Sequence, residues 1–599
     1  MFQLATEIIS LKDVSFTYKG SKRKALNGIS MSVLEGECVA VLGPTGSGKS
    51  TLACIMNGTV PCFVEGELAG DVTVDGLHPR EAGTAHMASR VGLVFGDPDT
   101  QLFGMTVEED VAFGPANLGL SYEEIMRRVT RCINDMRLTG LEKRAPHRLS
   151  GGQKQATAIA GVYAMLPKIM VLDEPTSMLD PEGKAKVFSI VRALKEELGV
   201  TVILIEQEVD DIISLADRVF VMSAGSFALS GTPAEVFSEP EKLRKAGVRV
   251  PHVVEFGQLI GASSVPFSTE DVIQTIETGT WSMAAPPRDP VAGQPVGAVS
   301  EAGIEPARSA SDPDPLPDPA VGEPVIEVKD LHFQYPSGAK ALDGVYLTIR
   351  RGEFVAIVGQ NGAGKTTLTR HLNGLLRPTS GEIRVLGRPT EGVPTTELCA
   401  HVGYVFQNPD EQLFCTTVAE ELGFGPANLG VAPKIISARV EALLSDIGLA
   451  KYSDVWPKYL SKGERQRLAL AAVVAMDPEV LIVDEPTTGL DWLESRQILD
   501  YLERLWRQQG KTIIIITHDM NIVSLYARRV VVMANGKVVG DGTPQQVFSQ
   551  PELMAVACLR RPAIAEITDA LWGEVLLTPA AAAARLYQRT SSHAEVDQS

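Results

Sequence analysis

Short apolar runs recur along the chain and predict buried strands. The clearest of them are Cys38–Leu42, 169–172, Phe354–Val358, 480–483 and 513–516. Longer segments of helical composition lie between these runs. Alternating apolar and polar residues over Glu7–Tyr18 and 326–335 predict a further strand at each of those places. This order of elements predicts an α/β fold with a largely parallel central sheet.

The same order of elements occurs twice, so the chain contains an internal repeat. The sequence Phe-Gly-Pro-Ala-Asn-Leu-Gly at 113–119 recurs unchanged at 424–430, an offset of 424 − 113 = 311. The offset between Lys49 and Lys365 is 365 − 49 = 316. The second copy therefore carries a net five-residue deletion between its glycine-rich loop and residue 424. The later motifs of the two copies can be compared position by position.

Each copy has a glycine-rich loop between a predicted strand and a predicted helix, the context of a phosphate-binding P-loop. In such a loop the backbone N–H groups and the helix N-terminus bind phosphate oxygens. The lysine reaches the β- and γ-phosphates, and the following hydroxyl, on Ser50 or Thr366, binds Mg²⁺. The two loops, each with a following threonine, are Gly43-Pro44-Thr45-Gly46-Ser47-Gly48-Lys49-Ser50-Thr51 and Gly359-Gln360-Asn361-Gly362-Ala363-Gly364-Lys365-Thr366-Thr367.

An Asp-Glu pair ends one buried run of each copy, as Asp173-Glu174 and Asp484-Glu485. The aspartate is placed to hold Mg²⁺ directly or through water. The glutamate is placed to orient and deprotonate a water that attacks the γ-phosphate. Such pairs can also cap the next helix, but here each is followed by Pro-Thr and then Leu-Asp.

Further candidate residues surround each loop. Tyr18 and Tyr335 are candidates for stacking on an adenine ring, or are aromatic core residues. A strand over 513–516 ends in Thr-His-Asp, where His518 is either a structural residue or a contact of the γ-phosphate. The residues that open a predicted helix before each Asp-Glu pair are Ser150, Gly151, Gly152 and Gln153 in the first copy and Ser461, Lys462, Gly463 and Glu464 in the second.

Composition excludes several classes of protein. The 599 residues carry a net charge of −19, which disfavours a protein whose main task is to bind nucleic acid. The seven cysteines are scattered and form no C-x-x-C, which predicts reduced thiols in a cytoplasmic chain. The sequence predicts no signal peptide. No apolar run approaches about 18 residues, so no membrane span is predicted either.

The pattern predicts four segments. The first domain covers 1–282. Residues 283–323 are rich in proline, alanine, glycine and acidic residues, and predict an extended, mobile linker. The second domain covers 324–580, and 581–599 are predicted to be a C-terminal tail.

The order of P-loop, Leu-Ser-Gly-Gly-Gln, Asp-Glu-Pro-Thr, Leu-Asp and Thr-His-Asp resembles that of the ABC-type ATPases over nearly all of both domains. The resemblance implies two tandem P-loop NTPase domains. Each would have a mainly parallel central sheet, an antiparallel β subdomain and a helical subdomain that carries the Leu-Ser-Gly-Gly-Gln signature. It also implies ATP and Mg²⁺ as cofactors. In this family ATP lies between the P-loop of one domain and the signature of the other, so two fused domains would complete one such pair.

A narrower resemblance is to the ATPase subunits of energy-coupling factor (ECF) importers, which take up vitamins, their precursors or transition-metal ions. A fused double ATPase occurs in that group, including forms linked to thiamine-precursor uptake. It implies a peripheral protein at the cytoplasmic face of the membrane. Its partners would be an integral coupling subunit that docks near this segment and a small substrate-binding membrane subunit. The segment that carries the resemblance is Phe406-Gln407-Asn408-Pro409-Asp410-Glu411-Gln412-Leu413-Phe414, with 95–103 as its counterpart. Phe103 and Phe414 are either part of that docking surface or core residues.

The two copies differ where chemistry is expected. Gln407, a further candidate ligand of Mg²⁺ and of the attacking water, corresponds to Gly96 (407 − 96 = 311). His518 corresponds to Gln207 (518 − 207 = 311). We therefore expect the second P-loop, with Glu485 as base and Ser150 as its partner signature, to hydrolyse ATP. The first P-loop, paired with an altered signature at Ser461 and Gly463, would bind ATP and turn it over slowly through Glu174.

Two other functions stay open from the sequence. One is a soluble tandem ABC ATPase that acts on ribosomes or other nucleoprotein, against which the acidic balance argues. The other is the ATPase of a conventional importer, from which only the segment after Gln407 distinguishes this chain. The sequence does not identify the transported substance.

Overall fold

The computed structural model describes residues 6–177, 179–210, 212–282 and 322–596, with side chains described up to 590. The described residues up to 258, together with 262–272, form one compact unit. Residues 259–261 and the described residues from 273 onward form the other. Apart from 322 and 323, the predicted linker 283–323 lies outside the described residues.

A six-stranded sheet forms the centre of each domain. Its first five strands are parallel, and the last pairs antiparallel with its neighbour. The predicted, largely parallel sheet is confirmed. From edge to edge the order in the first domain is Val91–Val94, Ile169–Asp173, Thr201–Glu206, Cys38–Leu42, Arg218–Ser223 and Ser226–Gly231. In the second domain it is Val402–Val405, Val480–Asp484, Thr512–Ile516, Phe354–Val358, Arg529–Ala534 and Lys537–Gly542.

A smaller antiparallel sheet accompanies each central sheet and packs against it. In the first domain the strand order is Leu26–Leu34, Glu7–Tyr18 and Gly66–Val74. In the second domain it is Lys340–Arg350, Pro324–Gln334, Ser380–Val385 and Arg388–Pro389. The strand Gly66–Val74 is three residues longer than its counterpart Ser380–Val385, within the region where the two copies differ in length.

Helices cover the sheets and form a separate helical layer in each domain. Helices Val107–Asn117, Tyr122–Asp135 and Gly151–Tyr163 pack together, as do their counterparts Val418–Asn428, Pro433–Asp446 and Lys462–Val474. The remaining α-helices up to residue 282 are Lys49–Met56, Thr59–Cys62, Pro79–Ala82, Thr84–Met87, Pro181–Glu196, Pro233–Phe237, Pro240–Lys245, His252–Leu259 and Thr269–Glu277. Those of the second domain are Lys365–Leu372, Thr395–Leu398, Trp492–Gln509, Met520–Tyr526, Pro544–Phe548, Pro551–Val556, Ala563–Trp572 and Pro579–Val596.

The C-terminal segment differs from the sequence prediction. Residues 581–596, predicted to be part of a tail, belong to the helix Pro579–Val596. The five alanines at 580–584 favour a helix. Burial of Ala582, Ala583 and Leu586 anchors this helix to its domain.

The cysteines and the hydropathy of the helices bear on two of the sequence predictions. All seven cysteines lie within the described ranges and are free thiols. Within those ranges, none of the helices combines the length and hydropathy that a membrane crossing requires.

Candidate functional site

Each glycine-rich loop joins the central strand of its sheet to a helix, as the sequence predicts. Residues 43–48 connect Cys38–Leu42 to a helix that begins at Lys49, and 359–364 connect Phe354–Val358 to a helix that begins at Lys365. Gly43 and Gly359 both have φ 151°, and a Cβ there would lie 2.4 or 2.2 Å from a backbone oxygen of the neighbouring strand. Only glycine therefore allows the tight turn that brings backbone N–H groups to phosphate oxygens.

The P-loop lysines are buried and held over their own loops. Lys49 Nζ donates to the carbonyl oxygens of Gly43 at 2.7 Å and Pro44 at 2.9 Å. Lys365 Nζ donates to those of Gly359 at 2.8 Å and Gln360 at 3.0 Å. A phosphate attracts an ammonium group more strongly than a neutral carbonyl oxygen does, so a nucleotide can compete for each lysine.

The two aspartates at the strand ends fit a magnesium ion. Burial raises the pKa of Asp173 and of Asp484, and hydrogen bonds from Ser50 and Thr366 respectively oppose that rise. Asp173 Oδ1 is buried and has no hydrogen-bond partner among the described residues. A carboxylate beside a hydroxyl is a set of hard oxygen donors of the kind that Mg²⁺ prefers, and a bound cation would supply the missing partner.

Glu485 is surrounded by groups suited to a catalytic base. Gln407 Nε2 donates to Glu485 Oε2 at 3.3 Å, Thr488 Oγ1 donates to it at 3.0 Å, and His518 Nδ1 lies 3.4 Å from it. Burial would raise the pKa of Glu485, but His518, Lys365 and Thr488 together outweigh burial and hold the pKa below its usual value. The carboxylate is therefore ionised and able to accept a proton at neutral pH.

Glu174 has different neighbours in the first domain. Gln207 Nε2 donates to Glu174 Oε1 at 2.5 Å, and Lys49 Nζ lies 3.8 Å from the same oxygen. Gly96 stands in the place of Gln407, and a Cβ on it would lie 2.7 Å from the backbone oxygen of Glu174. The first site thus lacks the glutamine and the histidine, and its backbone leaves no room for a side chain at position 96.

A second buried acid accompanies the first site. Glu206 precedes Gln207, is fully buried and accepts hydrogen bonds from Thr176 N at 3.0 Å and Thr176 Oγ1 at 2.7 Å. Burial raises its pKa to about 8, and the nearby Glu208 and Glu174 add to the rise. Thr517 occupies this position in the second domain.

The signature residues begin helices, as predicted. Ser150 and Ser461 are the N-caps of Gly151–Tyr163 and Lys462–Val474. Gln153 Oε1 and Glu464 Oε2 each accept a hydrogen bond from the backbone N–H of their own N-cap serine, at 3.0 and 2.8 Å. The Glu464 carboxylate is therefore bound to its own helix N-terminus, where the helix dipole stabilises it.

The aspartates of the two Leu-Asp motifs cap the helices that follow them. Asp180 Oδ1 accepts from Gly183 N, and Asp491 Oδ1 accepts from Glu494 N, each at 2.8 Å. These two aspartates, rather than Asp173 and Asp484, cap the helices that follow. The Asp-Glu pairs do not cap these helices and are available to act at the P-loops.

The two candidate stacking tyrosines are tied to the P-loop helices. The hydroxyl groups of Tyr18 and Thr51 are 2.8 Å apart, and those of Tyr335 and Thr367 are 3.0 Å apart. Each tyrosine ring also packs edge-to-face on a phenylalanine two residues earlier. Both rings are partly exposed beside a P-loop, and stacking on adenine stays a prediction.

Phe103 and Phe414 are surface residues, so their interpretation as core residues is wrong. Phe103 is 62% exposed and its ring lies 4.4 Å from that of Phe113. Phe414 is 64% exposed and lies 4.7 Å from Phe424. Gln101 and Gln412, the glutamines two residues before these phenylalanines, bond the backbone amides of Phe95 and Phe406 and fix the fold of the segment.

Sequence reasoning missed three residues near the candidate bases and metal ligands: Thr488, which donates to Glu485, Tyr404, and Glu206, whose charge acts on that of Glu174. Tyr404 donates to Asp484 Oδ2 at 2.8 Å. Burial and the charge of Asp484 raise the pKa of Tyr404, which keeps its hydroxyl protonated. Thr488 and Glu206 stand at positions where the copies could be compared, whereas nothing in the sequence pairs Tyr404 with Asp484.

Comparisons with known proteins indicate the family of this chain. The model of the family "ABC transporter" matches residues 26–177 and 342–488. A protein of Caldanaerobacter subterraneus described as an ABC transporter ATP-binding protein is 39% identical over 573 residues, covering 95% of this chain and 97% of that protein. A Methanosarcina acetivorans protein of the same description is 41% identical, covering 92% and 89%. The solved structure of cbiO1 from Clostridium perfringens, part of the ABC transporter complex cbiONQ, is 38% identical and covers 41% of this chain and 99% of that one, with a TM-score of 0.37.

Proposed function

This chain belongs to the ABC transporter family of ATP-binding proteins, and from that premise we propose that it powers an ECF-type importer of a vitamin, a vitamin precursor or a metal ion. As a tandem ABC protein it is an ATPase that uses ATP with Mg²⁺. The importer class, the membrane partners and the division of labour between the two sites are the proposal.

The proposed hydrolytic centre is the second P-loop. Glu485 takes a proton from the attacking water, Gln407 orients that water, and His518 keeps Glu485 ionised until attack. Lys365 offsets charge on the β- and γ-phosphates.

Mg²⁺ bound with the nucleotide supplies positive charge at the phosphate oxygens. The side chains that would hold it are Thr366, Gln407 and Asp484 at the second P-loop and Ser50 and Asp173 at the first. Because the first site has Gly96 and Gln207 instead of Gln407 and His518, we propose that the P-loop of Lys49 holds ATP and that Glu174 hydrolyses it slowly.

The proposed importer class rests on one observation. An exposed aromatic pair follows Gln407 in the second domain, and another follows Gly96, its counterpart in the first. Phe103 with Phe113 and Phe414 with Phe424 form two small apolar surfaces of the same composition. Exposed apolar groups on a soluble domain favour a protein contact because covering them removes apolar area from water. Apolar cytoplasmic segments of a coupling subunit match such surfaces.

The test is affinity purification of the tagged full chain from its native membranes in mild detergent, followed by mass spectrometry. We expect two integral membrane proteins, one of them small, and we expect Phe103→Ala with Phe414→Ala to lose both while ATP binding persists. Tyr346→Ala, another exposed aromatic on the antiparallel strand Lys340–Arg350, is the matched control and should retain both. Recovery with ribosomal proteins in the soluble fraction would overturn the importer proposal and leave the ATPase chemistry intact.

A further inference from the structure

Tyr404 is a buried residue whose hydroxyl group points at the aspartate of the second site. It lies on Val402–Val405, the strand parallel to Val480–Asp484, and donates a hydrogen bond of 2.8 Å to Asp484 Oδ2. The hydroxyl of the fully buried Thr369, on the P-loop helix, is 3.3 Å from the same Tyr404 oxygen. Thr369 Oγ1 also lies 3.2 Å from the backbone oxygen of Lys365, so the chain of contacts runs from the P-loop helix to the aspartate.

The first domain lacks this chain of contacts. At the offset of 311 Leu93 occupies the place of Tyr404, and at the offset of 316 Ala53 occupies the place of Thr369. Neither residue has a side-chain donor. Correspondingly, Asp173 Oδ1 is buried without a hydrogen-bond partner among the described residues. Of the two corresponding aspartates, Asp484 therefore has a tyrosine partner and Asp173 has none at the matching position.

We infer that Tyr404 is a positioning residue for Mg²⁺ at the second site: its hydrogen bond fixes the orientation of the Asp484 carboxylate, which would hold the metal. A carboxylate that is already oriented loses less rotational freedom when it binds, and outer hydrogen bonds of this kind typically change metal affinity by about 10–100-fold. The first site, with Leu93, binds the metal more weakly. This inference rests on the proposed assignment of Asp484 as a ligand.

The contact is close to the metal site but separate from the base. Tyr404 touches Asp484 and Thr369, whereas the partners of Glu485 are Gln407, Thr488 and His518. Loss of the tyrosine hydroxyl should therefore weaken metal binding and leave the protonation of Glu485 unchanged. This separates its role from that of the catalytic residues.

The test uses the full chain with Lys49→Ala, so that the second P-loop is the nucleotide site under study. Binding of Mn²⁺ in the presence of the non-hydrolysable analogue AMP-PNP is measured by electron paramagnetic resonance, with and without Tyr404→Phe. We expect the Mn²⁺ dissociation constant to rise about 10-fold or more. We expect the affinity for the analogue in EDTA to stay within twofold and the pH profile of ATP hydrolysis at saturating Mg²⁺ to keep its midpoint.

The matched control is Tyr526→Phe, which removes a hydrogen bond of 2.7 Å from a tyrosine to Asp500, remote in sequence from the P-loop motifs. Mn²⁺ binding should be unchanged in that variant. An unchanged Mn²⁺ affinity in Tyr404→Phe, or an equal change in Tyr526→Phe, would overturn the inference. If Tyr404→Phe lowers the thermal midpoint of unfolding, Tyr404→Leu with Thr369→Ala, which copies the first site, must still fold and bind Mn²⁺ at least 10-fold more weakly. Since the readout requires neither transport nor hydrolysis, a failed importer assay leaves it unaffected.

Discussion

Gln207 Nε2 donates a hydrogen bond of 2.5 Å to Glu174 Oε1, in the place where His518 faces Glu485 in the second domain. A neutral amide supplies a hydrogen bond but no positive charge. The histidine supplies both when protonated and helps to hold the pKa of Glu485 low. The environments of the two glutamates therefore differ, although the glutamates themselves are conserved between the two copies.

Restoring the histidine alone should not restore the first site. In a chain with Glu485→Gln, where turnover depends on the first site, we expect Gln207→His to change ATP hydrolysis by less than about threefold. The reason is that Gly96 still provides no side chain to orient the water. Adding Gly96→Gln should not help, because its Cβ would lie 2.7 Å from the backbone oxygen of Glu174. Recovery of a rate near that of the unmodified chain in either variant would contradict this explanation.

The buried Glu206 should make the first domain's stability depend on pH. Its pKa is raised from 4.5 to about 8, so between these values the folded chain keeps a proton that the unfolded chain has lost. The free energy of unfolding therefore falls as pH rises through this range, by at most about 1.4 kcal/mol per pH unit. Glu206→Gln should remove that dependence. Compared with the unmodified chain at the same pH, the variant should therefore gain stability between pH 5 and pH 8.5.

Urea unfolding at pH 5, 7 and 8.5 measures this effect. The control is Glu182→Gln, which removes the charge of an exposed glutamate that pairs with Lys186 and should keep the pH dependence of the unmodified chain. If the stability difference between Glu206→Gln and the unmodified chain stays constant across the three pH values, Glu206 does not bind the proton.

Glu464 should matter to stability mainly through its capping contact and only slightly through its charge. Its carboxylate accepts the backbone N–H of Ser461, the same contact that Gln153 makes to Ser150 in the first copy. Glu464→Gln preserves the capping contact, and we expect a change in unfolding free energy below about 0.5 kcal/mol. Glu464→Ala removes it and should cost about 1 kcal/mol. Calorimetry compares the two, and equal losses would show that the charge is what stabilises the helix.

The motifs and the repeat were predictable from the sequence because they are local. Glycines that require φ 151°, apolar five-residue strands and terminal acids each have a clear pattern within a few residues. The capping role of Glu464 was also readable, since Ser461 and Glu464 have the spacing of a capping box. The alanine run at 580–584 likewise favours the last helix, although 581–599 were predicted to be a tail.

The missed features depend on contacts between distant parts of the chain. Tyr404 and Asp484 are 80 residues apart and meet because their strands are neighbours in the sheet. In a strand buried on both faces, tyrosine follows the same pattern as leucine, so nothing marks its hydroxyl as a donor. Burial of Glu206 beside Thr176 similarly requires the packed structure, because an acid after a strand is more often exposed.

The central claim, that the second site carries hydrolysis, is tested most directly by ATP turnover of purified chains with Glu485→Gln or Glu174→Gln. Both variants remove one carboxylate at matching positions and keep the side-chain shape. We predict that Glu485→Gln lowers the rate by about 10²–10⁴-fold, whereas Glu174→Gln stays within about twofold of the unmodified chain. Equal losses from the two variants would contradict the proposed asymmetry.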